Sequence, residues 1–179
     1  MKIKNNEYRL ITHPFEPLYD KDSKILILGS FPSVKSREQQ FFYGHPQNRF
    51  WKVTAAVFKA EVPKTIEEKR TFILQHHIAL WDVIYSCRIV GSSDASIRDA
   101  VPTDLRRIID NSKVSRVFVN GKTAYDLYMK YQAKQIPFPA EVLPSTSPAN
   151  AAWSLERLTE AWREAIFPGD TGLKQRKHV

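Results

Sequence analysis

The sequence has one cysteine, no long apolar run and few glycines, and these absences narrow its function. Cys87 alone excludes an intrachain disulfide and a four-cysteine zinc or iron–sulfur site. No apolar run approaches the roughly 18 residues of a membrane span, and the N-terminal segment has no apolar stretch typical of a signal peptide. We therefore expect a cytoplasmic monomer without membrane contact.

Motifs for metal, nucleotide or serine-hydrolase chemistry are also missing. The five histidines show neither H-x-x-x-H nor H-E-x-x-H spacing. The sequence contains no P-loop, no G-x-G-x-x-G and no G-x-S-x-G elbow. This pattern predicts a protein that uses no metal and no cofactor.

The net charge of the chain indicates the kind of partner that the protein binds. The chain of 179 residues has 27 Lys and Arg against 19 Asp and Glu, a net charge of +8. Such a balance suits a polyanion, because each phosphate contact releases counterions and favours binding. A single domain commonly has roughly 100–200 residues, so we expect one domain over 1–179, with a loose basic tail at 168–179.

Short strands alternate with helices along the chain, which is typical of an α/β domain with a mostly parallel sheet. Apolar runs predict strands at 24–30, at 78–85 (running into a loop), at the start of 114–131 and at the start of 140–150. Helices are predicted at 50–58, at 65–77 behind a Thr65–Glu68 capping box, from Pro102 or Thr103 to 111, at the end of 114–131, and at 151–167 behind an Asn150 N-cap.

Three polar loops follow predicted strands, at 29–33, 120–122 and 144–150. Ligands of open α/β sheets bind outside the carboxyl ends of the strands, where these loops should meet. The segment "FFYGHPQNRFW" (41–51) follows the first loop and combines five aromatics with a histidine, an asparagine and an arginine. We expect a ligand pocket built from these loops and this segment.

The side chains of this region suit a nucleobase. An asparagine amide such as that of Asn48 or Asn120 has a donor beside an acceptor, which complements the lactam edge of uracil or hypoxanthine. Phe31 and Tyr43 can stack on an extruded base, worth roughly 1–3 kcal/mol. For Asn48 taken alone, a loop-bonding or capping role is slightly favoured over base recognition. Phe41, Phe50 and Trp51 are expected in the core.

The order of four sequence motifs resembles that of a known protein family. "ILGSFPS", "GHPQNRFWKV", "VFVNGKTAY" and "LPSTSPAN" resemble, over residues 24–167, the uracil-DNA glycosylase superfamily. The most similar branch is that of the hypoxanthine (deoxyinosine) DNA glycosylases, followed by the mismatch-specific uracil-DNA glycosylases. The resemblance implies a three-layer α/β/α sandwich around a short, mostly parallel central sheet. It also implies that a base is flipped into the pocket and its N-glycosidic bond hydrolysed without metal or cofactor.

The resemblance also implies roles for single residues. Phe31 stands where many members use Asp or Asn to position water, so Asn48 becomes the candidate for holding water or the base. The 144–150 loop lacks the histidine that other branches use there, which leaves Ser145, Ser147 or backbone N–H groups to stabilise the departing base. The expected base-binding residues are Gly29, Ser30, Phe31, Pro32, Ser33, Tyr43, His45 and Asn120. The expected DNA-binding residues are Arg49, Lys122, Ser147, Pro148 and Asn150.

Other functions remain open at this point. The same enzyme class could act on uracil, or on thymine opposite guanine. The missing aspartate and histidine also allow a non-catalytic DNA-binding relative, and a nucleoside hydrolase fits the net charge less well. Hypoxanthine is favoured because it leaves readily once its N7 or O6 is hydrogen-bonded. The resemblance implies that no strand-cleaving step takes place through Lys122.

Overall fold

The computed structural model describes residues 7–170, in which a parallel sheet and an antiparallel sheet are joined by helices. The strands are β1 (Arg9–Thr12), β2 (Ile25–Gly29), β3 (Ile78–Asp82), β4 (Ile84–Ile89), β5 (Arg98–Pro102), β6 (Arg116–Asn120) and β7 (Ala140–Leu143). The α-helices are α1 (Val34–Gln39), α2 (Phe50–Val57), α3 (Ile66–Gln75), α4 (Arg106–Ile109), α5 (Lys122–Tyr131) and α6 (Leu155–Ile166). From residue 171 on, the predicted basic tail lies outside the described residues.

The central sheet is parallel and has the strand order β3-β2-β6-β7. Strand β2 lies between two neighbours and is apolar along its length, and Leu26, Ile27 and Leu28 have no exposed surface. Strands buried on both faces need such continuous apolar runs. The prediction of a buried parallel strand at 24–30 is confirmed.

Helices flank this sheet as the α/β/α prediction requires. Helix α3 packs against β3, α5 packs against β6 and β7, and α2 packs against α6, which in turn contacts β7. Trp162 of α6 and Phe50 of α2 are fully buried and lie 5.9 Å apart between ring centroids. The three-layer fold is confirmed. None of the helices described over residues 7–170 has the length and apolar character needed to cross a membrane.

A second sheet, with order β1-β4-β5 and antiparallel pairing, was not predicted. The strand predicted over 78–85 was expected to run into a loop, and this expectation is wrong, because the structure has two strands in succession, β3 and β4. The chain leaves the parallel sheet at Val83, whose N–H donates to the Gly29 carbonyl at 2.9 Å, and continues directly into β4. The edge strand β3 of the parallel sheet is therefore followed directly along the chain by β4, the central strand of the antiparallel sheet.

The helix predicted from Pro102 or Thr103 to 111 is present, but its predicted start is wrong. Pro102 ends β5, an edge strand, where a residue without an N–H is tolerated. The helix α4 begins only at Arg106. The capping box of Thr65 and Glu68 at α3 is confirmed.

The N-cap predicted at Asn150 is wrong as well. Ser154 caps α6 by accepting a hydrogen bond from the Arg157 N–H, so the helix begins four residues later than expected. The residues between are part of the loop that follows β7.

Candidate active site

A cavity of about 340 Å³ opens at the carboxyl ends of the four parallel strands. Its volume falls within the range of roughly 300–1,000 Å³ that is usual for ligand pockets. Strand β2 contributes Gly29, β3 contributes Asp82 and β6 contributes Asn120, while the loop after β7 closes the cavity. The location is the one expected for a ligand of an open α/β sheet.

The structure brings most of the predicted site residues to this cavity. Its wall includes Gly29, Ser30, Phe31, Pro32, Ser33, Tyr43, His45, Asn48, Asn120, Ser145, Ser147 and Pro148. Three predicted residues lie outside the wall, namely Arg49, Lys122 and Asn150. The segment 41–51 thus contributes both to the cavity and to the core, since Phe41, Phe50 and Trp51 are buried.

Asn48 lines the cavity and uses its amide oxygen for the fold, whereas its amide nitrogen has no hydrogen-bond partner in the described part of the chain. The oxygen accepts from the Phe50 N–H at 3.0 Å and from the Thr146 hydroxyl at 2.9 Å. Because a backbone N–H can only donate, the orientation of the amide is assigned by this bond. Asn48 therefore offers the cavity a donor. The donor–acceptor pair expected from its amide is not available there.

Thr146, which sequence reasoning missed, connects the parts of the site. It has no exposed surface, and its N–H donates to the Asn120 amide oxygen at 3.1 Å. Its hydroxyl accepts from the Asn120 amide nitrogen at 2.9 Å, and its carbonyl accepts from the Arg49 N–H at 3.0 Å. Asn120 lines the cavity, but its amide oxygen and nitrogen both bond Thr146 and hold the 144–150 loop.

Arg49 holds the far side of the same loop. Its guanidinium donates to the carbonyls of Ser147 and Asn150, both at 3.0 Å, and to that of Trp153. Arg49 was expected among the DNA-binding residues, and in the structure its guanidinium braces this loop. Asn150 acts similarly, since its amide donates to the Ser145 carbonyl at 3.0 Å.

Ser145 and Ser147 present hydroxyl donors to the cavity. The Ser145 hydroxyl accepts from the Ser147 N–H at 3.1 Å, and the Ser147 hydroxyl accepts from the Ala149 N–H at 3.2 Å. A hydroxyl that accepts in this way keeps its own proton for a further bond. Both groups can therefore donate to an electronegative atom in the cavity.

Asp82 places a carboxylate in the cavity, and the sequence reading missed it. Its side chain is 8% exposed, and one oxygen, Oδ2, accepts from Nε2 of His13 at 2.7 Å. The other ring nitrogen of His13 is buried without a partner, which supports the tautomer with its proton on Nε2. The segment carrying His13 is tied to the sheets, because the His13 N–H donates to the Tyr85 carbonyl.

Gly29 permits the close approach of Asp82. A Cβ at Gly29 would lie 2.5 Å from Oδ1 of Asp82, a distance that no real side chain tolerates, and 3.5 Å from the hydroxyl of Tyr43. Tyr43 has φ of 51°, an uncommon conformation for a residue with a side chain. Its ring stacks on Phe50 at 3.8 Å, and its hydroxyl is buried without a partner among the described residues.

Burial raises the pKa of two acidic groups at the cavity. The pKa of the Tyr43 hydroxyl is raised first by burial and then by the charge of Asp82, and the nearby Asn120 side chain opposes this rise in part, so the hydroxyl stays protonated at neutral pH. The pKa of Asp94 is raised by burial and by the charge of Asp82, against a hydrogen bond from Ser30 at 2.5 Å. Asp94 lies in a short 3₁₀ turn before β5 and was not predicted as a site residue.

The remaining candidates are exposed or uninvolved. Lys122 pairs with Asp126 at 2.6 Å, and its side chain is 83% exposed, away from the cavity. Burial raises the pKa of Cys87 to about 11, which makes it a poor nucleophile. Within residues 7–170, no three His, Cys, Asp or Glu side chains are grouped as metal ligands.

Comparisons with known proteins identify the family of the chain. The model of the uracil DNA glycosylase superfamily matches residues 16–167. A hypoxanthine DNA glycosylase of Methanosarcina acetivorans is 32% identical over 160 residues, covering 88% of this chain and 99% of the relative. One of Methanosarcina barkeri is 29% identical over 154 residues, covering 85% and 96%.

A solved structure has the same fold. It is a solution NMR structure from Methanosarcina acetivorans, described as a candidate uracil DNA glycosylase. It is 30% identical to this chain, has a TM-score of 0.74 and covers 89% of this chain and 97% of its own. The family match extends over most of the chain and includes the four parallel strands and the loops that follow them. The chain belongs to the uracil DNA glycosylase superfamily.

Proposed function

We propose that the protein is a cytoplasmic, monomeric DNA repair glycosylase that removes hypoxanthine from deoxyinosine in DNA. The base is flipped out of the helix into the cavity, because its glycosidic carbon is not reachable inside the stack. Water adds to that carbon as the bond to the base breaks, and the products are free base and an abasic site. No metal, cofactor or strand-cleaving step takes part.

The observation that carries this proposal is the amide nitrogen of the cavity-lining Asn48, which has no hydrogen-bond partner among residues 7–170. Its oxygen is held by Phe50 and Thr146, so the donor has a fixed direction. A preorganised donor of this kind stabilises developing charge without reorganising during the reaction. It bonds either the attacking water or an oxygen of the base, as expected for Asn48 from the sequence.

Ser145 and Ser147 act on the departing base. Bond cleavage leaves negative charge on the base, and both hydroxyls have protons available for donation. They replace the histidine that other branches of the superfamily have in this loop. Thr146 lies between them and keeps the loop in register with Asn48 and Asn120.

Hypoxanthine is preferred to uracil on two grounds. The relatives from Methanosarcina acetivorans and Methanosarcina barkeri are named as hypoxanthine DNA glycosylases. Phe31 also leaves the first loop without a carboxylate or amide to activate water. A purine whose N7 or O6 accepts a hydrogen bond leaves more easily and needs less activation of the water.

The proposal is tested with end-labelled duplexes that carry one hypoxanthine or one uracil opposite each normal base. Alkali converts each abasic site to a strand break. We expect breaks at hypoxanthine and far fewer at uracil, and loss of both in Asn48→Ala. Breaks only at uracil would show that uracil, and not hypoxanthine, is the substrate. Tight, salt-sensitive binding without breaks at either base would identify a DNA-binding relative that does no chemistry.

A further inference from the structure

We infer that Arg88 and Arg98 together bind one phosphate of the substrate DNA, close to the nucleotide whose base enters the cavity. This inference rests on the proposed function, because it names how the same protein holds the strand beside its cavity. The two arginines lie on neighbouring strands, β4 and β5, and both are exposed. Neither the sequence motifs nor the relatives' names assign a role to them.

The fold places the two arginines directly opposite each other. Arg88 pairs with Arg98 in the antiparallel ladder between β4 and β5, and residues that pair in this way project to the same face of a sheet. Leu10 of β1 pairs with Arg88 from the other side and is 67% exposed, so this face is in contact with solvent. Like charges opposite each other destabilise a sheet. An arrangement that costs stability on an exposed face favours a binding role over a structural one.

A bulge in β5 produces this pairing. The next pair along the ladder is Ser86 with Val101. A regular ladder would therefore place the acidic Asp99 opposite Arg88, two residues further along each strand. Instead β5 contains one extra residue here, and Asp99 has φ of 50°, which is uncommon for a residue with a side chain. Bulges often redirect a side chain next to a functional site, and this one replaces an acidic partner of Arg88 by a second arginine.

Both guanidinium groups keep donors for a ligand. Nε of Arg88 lies 3.5 Å from the Asp99 carboxylate, an exposed pair of a kind that contributes little to stability. The Arg98 guanidinium lies 4.4 Å from the centre of the Tyr8 ring, a contact that orients the group and uses none of its N–H donors. Within residues 7–170, neither arginine donates a side-chain hydrogen bond. Guanidinium groups held in this way suit phosphate oxygens, which they bind in pairs.

The arginine pair lies beside the cavity. It is the last pair of the ladder before the loop that joins β4 to β5, and Ser92 and Asp94 of that loop line the cavity. The loop is fixed there, because Asp94 accepts from the Ser30 hydroxyl at 2.5 Å and Ser92 accepts from the Val34 N–H at 2.9 Å. Each arginine is four residues along the chain from one of these loop residues, which is at most about 14 Å. With a rise of about 3.4 Å per nucleotide, the phosphate lies within about four nucleotides of the flipped one.

The test measures the contribution of single phosphates to binding, independently of base release. Duplexes carry one 2′-fluoro-deoxyinosine, whose electron-withdrawing fluorine resists glycosidic cleavage. One uncharged methylphosphonate replaces, in turn, each phosphate within roughly five nucleotides on either side. The variant is Arg98→Gln. Lys113→Gln is the control of equal charge, because Lys113 is an exposed residue that pairs with Asp22 and precedes β6, at the end of the parallel strands away from the cavity.

Wild type and Lys113→Gln are expected to bind about 10-fold less tightly when the methylphosphonate replaces the contacted phosphate, the effect of losing one hydrogen bond to a charged group. In Arg98→Gln, that position should no longer affect affinity, whereas the losses at other positions should persist. Arg88→Gln should change the same position, since both arginines bind one phosphate. A scan of Arg98→Gln that equals the wild-type scan at every position would overturn the inference.

The melting temperature distinguishes this role from a structural one. Removal of one of two opposed charges should leave the melting temperature of Arg98→Gln unchanged or raise it. A lower melting temperature, with affinity reduced equally at all positions, would assign the pair to the fold and overturn the inference. Release of hypoxanthine from an ordinary deoxyinosine duplex by wild type is measured in parallel. Its absence would refute the proposed function, whatever the scan of phosphates shows.

Discussion

At the scale of single residues, two side chains of the site use one polar atom for a hydrogen bond within the protein and have another polar atom available for a ligand. Asn48 bonds the fold through its oxygen and faces the cavity with its nitrogen. Asp82 bonds His13 through one oxygen and offers the other. Isosteric exchanges between amide and carboxylate therefore test chemistry at these positions without removing the structural bond.

Asn48→Asp is the sharper variant at the first position. The carboxylate still accepts from Phe50 and Thr146, but the donor to the cavity becomes an acceptor. We expect normal folding and a single-turnover rate of base release that is roughly 10²–10³-fold lower, the usual effect of losing one preorganised donor. Asn111→Asp, at an exposed amide that bonds only Arg107, is the control and should keep the full rate. Full activity of Asn48→Asp would show that base release does not depend on a hydrogen bond donated by the Asn48 amide.

Asp94 predicts a pH dependence of stability. Its pKa is raised in the folded state by burial, so the fold binds this proton more tightly than the unfolded chain does. The free energy of unfolding therefore falls as the pH rises above 3.8, the ordinary pKa of the group, and this loss of stability is complete once the pH has risen through the raised pKa. In Asp94→Asn, the Ser30 hydroxyl can still donate to the amide oxygen.

We expect the melting temperature of Asp94→Asn, relative to wild type, to increase between pH 4 and pH 8. Thermal unfolding measured at intervals across this range checks the sign. A relative melting temperature that falls with rising pH would show that the Asp94 carboxylate stabilises the fold.

At the scale of elements, the 144–150 loop takes its shape from side chains outside it. Arg49, Asn48 and Asn120 all bond it, and Arg49 does so through three carbonyls. The fork of a guanidinium suits several acceptors at once, and a lysine cannot reproduce it. The loop therefore depends on α2 and β6 for its position.

Arg49→Lys separates the brace from a phosphate contact, because it keeps the positive charge. We expect base release to fall by roughly 10- to 100-fold through misplacement of Ser145 and Ser147, with the salt dependence of DNA binding unchanged. Base release by Arg49→Lys at the wild-type rate would contradict the bracing role of Arg49.

Lys122→Gln is the counterpart, because it removes a charge that does not contact the loop. It should reduce the slope of log affinity against log salt by about 0.9 if Lys122 meets one phosphate, and it should leave the rate of base release at saturating enzyme unchanged.

The elements with strong local signals were predictable, and those set by tertiary contacts were not. The apolar run of β2 and the capping box of α3 determine their elements locally. Strand β5 has no such signal, because most of its residues are exposed at a sheet edge and the strand pairs with β4 alone among the described strands. Asp82 was missed for a related reason. It ends an apolar run and becomes a site residue only where the chain passes from one sheet to the other.

At the scale of the whole molecule, the net charge of +8 on 179 residues acts on DNA without regard to sequence. Each phosphate neutralised contributes about 0.9 to the slope of log affinity against log salt. For roughly three to six contacts we expect a slope of about −3 to −5 on undamaged duplex, measured by titration from 50 to 200 mM salt. A slope near zero would mean that the charge is not used for DNA.

The central claim is that the protein breaks one glycosidic bond in DNA, and product analysis tests it most directly. A duplex with a single deoxyinosine is incubated with the protein, and both the small-molecule fraction and the intact strands are analysed by mass spectrometry. The account predicts free hypoxanthine in equal amount to a full-length strand that carries one abasic site. An unaltered strand with no free base, in the presence of measurable DNA binding, would contradict it.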